Sequence, residues 1–199
     1  MAIDYNKCWR DAVGDPVVVV INGIGGCGKD TFVSMVKQVS IPIHDPTNLS
    51  NHLTCVVENV STIDPIKRAA ITVGWDFDKS NKGRKFLSDF KQLVKNYNDF
   101  TYHYCEDIIK EGQHKILFIH CREPEEIDRF VKDFGAKTLL IRRSGVDIPT
   151  NDSDMAVENY SYDYVINNNG TIKDLEEQAV KFMKWLGCGN WIDRGVSVV

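Results

Sequence analysis

Runs of apolar residues alternate along the chain with segments in which apolar positions recur every three or four residues. The runs are predicted strands, because a stretch without polar alternation suits a parallel strand covered on both faces. They lie at 17–21, 53–57, 115–121, 137–141 and 162–167. The periodic segments are predicted helices. Five strands separated by helices predict a three-layer α/β/α fold around a five-stranded parallel sheet with right-handed crossovers.

Capping and turn residues indicate where the predicted helices begin and end. Pro65 and Pro124 suit the first turn of a helix, and Gly74 and Gly135 suit the position after the last turn. Helices are predicted from about residue 28 onward, over 61–75, 82–97 and 102–112, from 124 to 135, and over 171–186. The helical block at about 61–112 is an insertion between the second and third strands, where we expect a second substrate to be held.

The composition narrows the class of protein without identifying it. A chain of 199 residues suits one domain, 1–199, with a core at about 16–186. Its formal net charge of −4 argues against a binder of duplex nucleic acid that works by neutralising phosphates. The basic residues of any phosphate site must therefore be concentrated locally.

Cysteine spacing and hydropathy indicate a cytoplasmic protein. The six cysteines form no C-x-x-C pair, which favours free thiols in a reducing compartment over disulfides or zinc. No apolar stretch approaches the length of a membrane span, and residues 1–13 carry charges that a secretory signal lacks. We expect no membrane or nucleic-acid partner, and either a monomer or a homodimer.

The most informative motif lies between the first predicted strand and the first predicted helix. Residues 17–31 read VVVVINGIGGCGKDT, which nearly matches the phosphate-binding loop G-x-x-x-x-G-K-[ST] through Gly23, Gly28 and Lys29. The position after the lysine holds Asp30, and the hydroxyl follows one residue later as Thr31. The motif predicts binding of a nucleoside triphosphate, with ATP as the default because no N-K-x-D element is present.

The residue types of this loop explain the prediction. Glycines permit positive φ angles and let backbone N–H groups approach phosphate oxygens. The start of the following helix adds unpaired N–H donors and the positive end of its dipole. Lys29 supplies a mobile charge for the phosphoryl group. The predicted ATP-binding residues are Gly23, Gly25, Gly26, Cys27, Gly28, Lys29, Asp30 and Thr31.

Several polar residues follow other predicted strands and belong at the same edge of the sheet. Ligands of open parallel sheets lie beyond the carboxyl ends of the strands. The segments to inspect are therefore 23–31, 61–67, Arg122, Arg142 and Arg143. Arginine suits a spreading negative charge because its planar guanidinium contacts two oxygens at once.

Together these motifs resemble the deoxynucleoside monophosphate kinases. The resemblance rests on GKDTF in the loop, S-x-x-D-P-I-K-R at 61–68, G-R-K at 83–85, R-E-P-E-E-I after the third strand, and the closing segment 158–178. It covers most of residues 16–186 and implies the P-loop nucleoside triphosphate hydrolase fold in its nucleoside monophosphate kinase form. The GKD variant also occurs in animal-type phosphomevalonate kinase, so it indicates a group of small-molecule kinases related to adenylate kinase.

The resemblance implies transfer of the γ-phosphoryl group of ATP to a nucleoside or deoxynucleoside monophosphate, with Mg²⁺. Asp30 and Thr31 would bind or orient the metal, although Asp30 could instead face the acceptor. A short polar lid would span about 143–160. The implied catalytic residues are Lys29, Arg122, Arg142 and Arg143, and the implied acceptor-binding residues are Ser61, Lys67, Arg68 and Arg84.

The chain departs from the family at the end of the third strand. The family tends to carry an acid there that helps to hold magnesium, whereas this chain has His120 and Cys121 before Arg122. Three alternatives follow: Asp30 carries the metal role alone, Glu123 substitutes, or the protein binds nucleotide without efficient turnover. A kinase of the phosphomevalonate or dephospho-coenzyme A type and a non-catalytic nucleotide-binding regulator therefore remain as alternative functions.

Each candidate side chain also has a purely structural interpretation. Lys67, Arg68 and Arg84 lie on predicted helices and could form a solvated face. Arg122 could pair with a neighbouring glutamate. Strand alternation places Arg142 and Arg143 on opposite faces, so we expect one of the two to be catalytic. The five histidines, which form no ligand-spaced cluster and are expected at the surface or in loops, are His44, His52, His103, His114 and His120.

Overall fold

The computed structural model describes residues 16–39, 43–44, 52–53, 57–112, 115–146 and 157–187. Its centre is a five-stranded sheet in the order β4-β5-β1-β6-β7, in which every neighbouring pair is parallel. The strands are β1 (Val17–Asn22), β4 (Val57–Ser61), β5 (Ile116–His120), β6 (Lys137–Arg142) and β7 (Tyr164–Asn167). A separate antiparallel pair is formed by β2 (Ile43–His44) and β3 (His52–Leu53).

Helices cover both faces of the sheet, as the sequence predicts. They are α1 (Lys29–Val39), α2 (Asp64–Thr72), α3 (Asn81–Asn98), α4 (Phe100–Glu111), α5 (Pro124–Phe134) and α6 (Ile172–Trp185). The predicted α/β fold with a five-stranded parallel sheet is therefore confirmed. Within the described ranges, no helix is long and apolar enough to cross a membrane.

Alternation along β1 builds two separate cores. Val19 and Ile21 pack with residues of α1 and α6 on one face, whereas Val18 and Val20 pack with residues of α4 and α5 on the other. Successive side chains of a strand point to opposite faces, so an uninterrupted apolar strand serves both layers. The central strand is therefore packed on both faces, and this packing fixes the point at which the loop after the strand begins.

The second sheet strand differs from the sequence prediction. The apolar run at 53–57 was expected to form it, but the strand is β4, which shares only Val57 with that run. β4 is an edge strand paired with β5 alone, and Glu58 and Asn59 in its middle are only half-buried. An edge strand needs less apolar cover, which is why the apolar run does not mark it. Residues 54–56 lie outside the described residues, as do 147–156 of the predicted lid.

The last sheet strand begins two residues later than predicted. Asp163 precedes β7, and its carboxylate accepts hydrogen bonds from the backbone N–H and the hydroxyl of Thr138, both at 2.9 Å. The hydroxyl of Thr138 in turn accepts a hydrogen bond from the backbone N–H of Asp163 at 2.9 Å. This side-chain pairing replaces a ladder hydrogen bond and sets the start of β7 against β6.

The helix predicted at 82–97 forms as α3, but its apolar face is turned outward. Phe86, Leu93 and Tyr97 are 39%, 68% and 86% exposed. Lys91 on another side of the same helix is buried at 8% exposure. Periodicity identified the helix, yet the contacts of its neighbours decide which side is covered.

Phe182→Ala tests the packing of α6 on the sheet. Phe182 is fully buried, and its ring lies 5.5 Å from that of Phe32 and 6.3 Å from that of Phe118, measured between centroids. We expect the substitution to lower the free energy of unfolding by about 3–5 kcal/mol, because it leaves a cavity. Ile172→Ala, at a residue that is 67% exposed, should change it by no more than about 0.5 kcal/mol. Urea denaturation measures both, and equal effects would contradict the assignment of the core.

Candidate functional site

The loop between β1 and α1, the candidate phosphate-binding loop, contains three glycines with positive φ angles. Gly23, Gly26 and Gly28 have φ angles of 141°, 80° and 100°. Side chains rarely adopt such angles, so glycine is required at these three positions. Gly25 has no positive φ, and a Cβ atom there would meet no neighbour. The conformational demand therefore falls on three of the four glycines singled out in the sequence.

Close approach of other segments fixes this loop in place. A Cβ atom on Gly23 would collide with the backbone of Ile141 in β6, and one on Gly28 would collide with the side chain of Asn168. Asn168 follows β7, and its side-chain amide donates a hydrogen bond to the carbonyl of Cys27 at 2.8 Å. Its backbone N–H donates to the carbonyl of Arg142 at 2.7 Å. Sequence reasoning missed Asn168, although it lies in the closing segment that resembled the kinases.

Lys29 turns its ammonium group back into the loop. Its Nζ donates hydrogen bonds to the carbonyls of Gly23 and Ile24, the latter at 2.9 Å. Burial lowers the pKa of Lys29 and the nearby charge of Arg122 adds to this, although the charges of Cys27 and Asp30 act in the opposite direction. A partly desolvated ammonium group gains free energy when anionic oxygens reach it. The geometry is suited to exchanging these carbonyls for phosphate oxygens.

Asp30 and Thr31 present oxygen donors in the first turn of α1. The carboxylate of Asp30 is 89% exposed, and Thr31 is also exposed. Mg²⁺ prefers oxygen ligands and is usually held by one or two carboxylates, substrate phosphates and water. An accessible carboxylate and an accessible hydroxyl beside a phosphate-binding loop fit that requirement.

His120 is a site residue that the sequence analysis placed wrongly. Expected at the surface or in a loop, it is the last residue of β5, and its side chain is only 19% exposed. Its Nε2 lies 2.8 Å from Oδ1 of Asn59 and 3.9 Å from Oδ1 of Asp30. Burial, with the charge of Lys29 adding to it, lowers its pKa to about 4, which makes the imidazole neutral at pH 7. Its position directly after the apolar run ILFI was the available signal.

The start of α2 brings a carboxylate and a lysine to the same edge of the sheet. Asp64 accepts a hydrogen bond from the backbone N–H of Ser61 at 2.8 Å, and Lys67 lies 3.5 Å from its other oxygen. The charges of Asp64 and Lys67 both influence the pKa of His120. The hydroxyl of Ser61 donates to the carbonyl of His120 at 3.3 Å. Ser61 and Lys67 are therefore near His120, and Asp64 joins them.

The remaining acceptor candidates lie elsewhere on the helical insertion. Arg68 places its guanidinium 4.9 Å from the ring centroid of Tyr104, in a cation–π contact that packs α2 on α4. Arg84 is exposed in the first turn of α3, where its backbone N–H donates to the carbonyl of Ser80. The packing contact with Tyr104 thus explains the position of Arg68 without a bound acceptor.

The three arginines that follow strands have different surroundings. Arg122 is exposed after β5, close enough to Lys29 for its charge to lower the pKa of that lysine. Arg142 pairs with Glu158, with 2.8 Å between Nε and Oε2. Arg143 lines a cavity of about 230 Å³ beside the phosphate-binding loop, together with Gly28, Thr31, Asn168, Gly170, Thr171, Ile172 and Leu175. Arg142 and Arg143 thus differ as strand alternation suggested, and their catalytic roles stay predictions.

Glu123 is engaged in a buried ion network instead of facing the loop. The Nζ atom of Lys91 lies 2.6 Å from Glu123 and 3.0 Å from Glu126, and Lys95 lies 3.4 Å from the second oxygen of Glu126. Although burial opposes it, the Lys91 ammonium holds the pKa of Glu123 below its ordinary value. The carboxylate of Glu126 is fully buried. This network disfavours the alternative in which Glu123 replaces the missing acid.

Part of the same network has the residue composition of a metal site, but its side chains are already engaged with one another. Ligand atoms of Cys121, Glu123 and Glu126 lie within 4.8 Å of one another. However, the ammonium of Lys91 already bonds both glutamates, and burial together with Glu126 raises the pKa of Cys121 well above its ordinary value. A protonated thiol is a poor ligand, since metals bind the thiolate. In the described part of the chain, Cys27, Cys105 and Cys121 are free thiols, as expected.

Comparisons with known proteins give only structural likenesses. No family model and no curated protein matches the chain. TT1252 from Thermus thermophilus is similar in structure, with a TM-score of 0.48, 14% identity, and coverage of 86% of this chain and 98% of that one. A protein of Chloroflexus aurantiacus named "a putative kinase" has a TM-score of 0.46 at 10% identity, covering 83% of this chain and 97% of its own. At these values neither likeness determines the chemistry of this chain.

His120 predicts a loss of stability on the acid side. Its pKa is about 4 in the folded protein and near 6.5 when unfolded, so the unfolded chain takes up a proton first as the pH falls. Between pH 7 and 4, the wild type should lose up to about 3 kcal/mol from this group. In His120→Gln this contribution is absent, and the free energy of unfolding should vary less with pH. Parallel denaturation curves that shift equally for both proteins would contradict the assignment.

The buried ion network predicts a double-variant effect. Glu126→Leu alone should lower the free energy of unfolding by about 3–5 kcal/mol, because Lys91 keeps a buried charge with only the half-exposed Glu123. Adding Lys91→Met should restore most of the loss, since an apolar pair of similar volume removes the unpaired charge. Chemical denaturation of the four proteins of the cycle measures the coupling. Additive losses would show that the two side chains act independently.

Proposed function

We propose that the chain transfers the γ-phosphoryl group of ATP to the phosphate of a nucleoside or deoxynucleoside monophosphate, giving ADP and the diphosphate. The observation that carries the proposal is the ammonium of Lys29, partly desolvated and held by backbone carbonyls inside the glycine loop. A lysine kept at this place, beside the N-terminus of α1, has an anion as its natural partner. Phosphoryl transfer depends mainly on such positioning and charge neutralisation.

The donor would occupy the loop and the cavity beside it. Its phosphates would accept hydrogen bonds from the backbone N–H groups of the loop and from Lys29, which would then release its carbonyl partners. The cavity lined by Gly28, Thr31, Arg143 and Thr171 adjoins the loop and would receive another part of the nucleotide. Arg143 would lie alongside that nucleotide as a cation.

The acceptor would approach from the side of α2. Lys67 and Arg122 supply positive charge there, near the neutral imidazole of His120. Asp64 holds Lys67 at 3.5 Å in the absence of substrate, and an acceptor phosphate would compete for that lysine. Arg122 lies close to Lys29 and would contact the group in transit, where two-oxygen contacts favour a spreading charge. Ser61, Arg68 and Arg84 are further proposed acceptor contacts.

Asp30 and Thr31 would hold Mg²⁺, whose charge would neutralise the donor phosphates. Asp30 directly follows Lys29, and its carboxylate is 89% exposed, whereas that of Glu123 is paired with Lys91. His120, 3.9 Å away, can limit the positions that the carboxylate adopts. Asp30 would therefore supply the carboxylate that the family usually places after the third strand.

One observation favours the non-catalytic alternative. Glu123 is committed to Lys91, and Asp64 already contacts Ser61 and Lys67, so among the residues considered above Asp30 is the carboxylate at this edge that no lysine engages. A protein that binds ATP without transferring its phosphoryl group would not need a second carboxylate at the metal. The cationic Lys67 and Arg122 argue for the kinase, because a nucleotide binder has less need of charge on the acceptor side.

A coupled assay of ADP formation tests the proposal. Purified protein is incubated with ATP and Mg²⁺ and with each nucleoside monophosphate in turn, in ribo and deoxy forms. We expect ADP formation that depends on one of these acceptors and that stops when the metal is chelated. Lys29→Ala should lower turnover by at least about 10²-fold while leaving the fold intact, since it removes charge stabilisation of the transferring group. Lys132→Ala, at an exposed lysine in the last turn of α5, is the matched control.

Three outcomes separate the alternatives. ATP binding measured by calorimetry, without ADP formation for any acceptor, would support the regulator. Transfer to phosphomevalonate or dephospho-coenzyme A, assayed in the same way, without transfer to any nucleoside monophosphate would support the other small-molecule kinases. Unchanged turnover in Lys29→Ala would contradict the assignment of the loop itself.

A further inference from the structure

Helix α3 carries an exposed apolar stripe along most of its length. We define the α3 stripe as Phe86, Phe90, Leu93 and Tyr97, whose spacings of four, three and four place them on one side of a helix. Phe86, Leu93 and Tyr97 are 39%, 68% and 86% exposed, and Phe90 is half-buried. The ring centroids of Phe86 and Phe90 lie 6.0 Å apart. Tyr97 and Leu93 are among the most exposed large apolar residues of the described chain.

The opposite side of the helix explains why the stripe faces outward. Lys91 and Lys95, one turn apart, form ion pairs with the buried carboxylate of Glu126. Lys91 also pairs with Glu123 at 2.6 Å. These contacts anchor α3 to α5 by its basic side, and the helix cannot rotate to bury the stripe without leaving Glu126 unpaired. Its orientation is thus fixed by charge.

The size of the stripe suits an interaction site. With about 200 Å² for a fully exposed side chain of this size, its members leave roughly 400 Å² of chiefly apolar surface in contact with water. An area of this size falls within the range of about 300–600 Å² that the largest apolar patch of a typical monomer reaches, and such a patch is often a functional interaction site. A stable interface buries about 800 Å² on each partner. The stripe would supply the apolar centre of such an interface, with polar Asp89 and Asn96 beside it at the rim.

The charges around the stripe favour one kind of partner. An anionic membrane surface or a nucleic acid would need basic side chains beside the apolar residues. Here Lys91 and Lys95 point to the buried carboxylate of Glu126, and Lys85 is paired with Asp89 at 2.7 Å. Lys82, one turn before Phe86, is exposed but close enough to Asp78 for their opposite charges to interact. The chain as a whole carries a net charge of −4. A second copy of the chain brings an equally apolar stripe whose flank is nearly neutral, and little charge is desolvated when the two meet.

We propose that two copies of this chain form a dimer by antiparallel packing of their α3 stripes about a two-fold axis. With the axis near residues 91 and 92, Phe90 of one copy meets Leu93 of the second, and Phe86 meets Tyr97. Isologous pairing of this kind is the commonest route to a homodimer. The proposal does not depend on the proposed function, because it uses no residue of the phosphate-binding loop.

The oligomeric state of the full chain tests the proposal. Light scattering coupled to size-exclusion chromatography, over a range of protein concentrations, should give the mass of a dimer that dissociates on dilution. Leu93→Glu and Tyr97→Glu together should shift the protein to the monomer. Ile172→Glu is the matched control, because Ile172 is 67% exposed on α6 and should leave the dimer unchanged. Circular dichroism checks that all variants are folded, which is expected since the substituted side chains are exposed.

Crosslinking tests the orientation of the two helices. Phe86→Cys and Tyr97→Cys proteins are mixed, allowed to exchange and treated with a short bis-maleimide, with the wild type as the control for its native cysteines. Antiparallel packing predicts crosslinks between unlike chains beyond those of the wild type. Crosslinks only between like chains would overturn the antiparallel arrangement.

Monomeric behaviour would overturn the dimer itself. If the wild type remains monomeric at every concentration, or if the double glutamate variant remains dimeric, the α3 stripe is not the interface. A monomeric wild type that sediments with phosphatidylserine vesicles would overturn the dimer and indicate a membrane surface as the partner of the stripe. A monomer that does not bind the vesicles would overturn the dimer without supporting a membrane partner.

Discussion

The candidate site depends on one crowded junction, where β1 passes through the glycine loop into α1. Gly23 has no room for a side chain because Ile141 lies against it, and Gly28 has none because Asn168 does. Asn168 links the loop to β6 through hydrogen bonds to Cys27 and Arg142. A side chain 141 residues later than Cys27 thus fixes the position of the loop, and ties the central strand, its neighbour and the closing segment together.

Burial then determines the electrostatics around that junction. Lys29 and His120 both have lowered pKa values, chiefly because each is removed from water. The carboxylates of Asp30 and Asp64 oppose the effect on His120 without cancelling it. The result is a site in which cationic and anionic groups are interspersed within a short distance. This mixture of charges would suit the proposed joint binding of a polyphosphate and Mg²⁺, since each of the two would supply the charge that the other lacks.

The sequence was sufficient for the fold and for the loop, where local pattern and tertiary structure agree. Apolar runs identified β1, β5 and β6, and prolines and glycines marked the helix ends. It failed at β4, because an edge strand is covered on fewer sides and needs no apolar run. It also missed Asn168 and misplaced His120, since the roles of both arise from residues distant in sequence. Glu123 could not be assigned from sequence either, because its partner Lys91 lies on a helix 32 positions earlier.

Helix α3 shows most clearly how tertiary contacts override periodicity. Its hydrophobic pattern alone predicts that the stripe containing Leu93 is buried, yet the fully buried carboxylate of Glu126 requires the lysines on the other side. An unpaired buried charge costs more free energy than an exposed apolar stripe, so charge determines the orientation. Glu123, which belongs to the same network, directly follows Arg122. The ion network that turns the stripe outward therefore includes a residue adjacent to a proposed catalytic arginine. A partner that binds the stripe would contact the same helix that this network anchors.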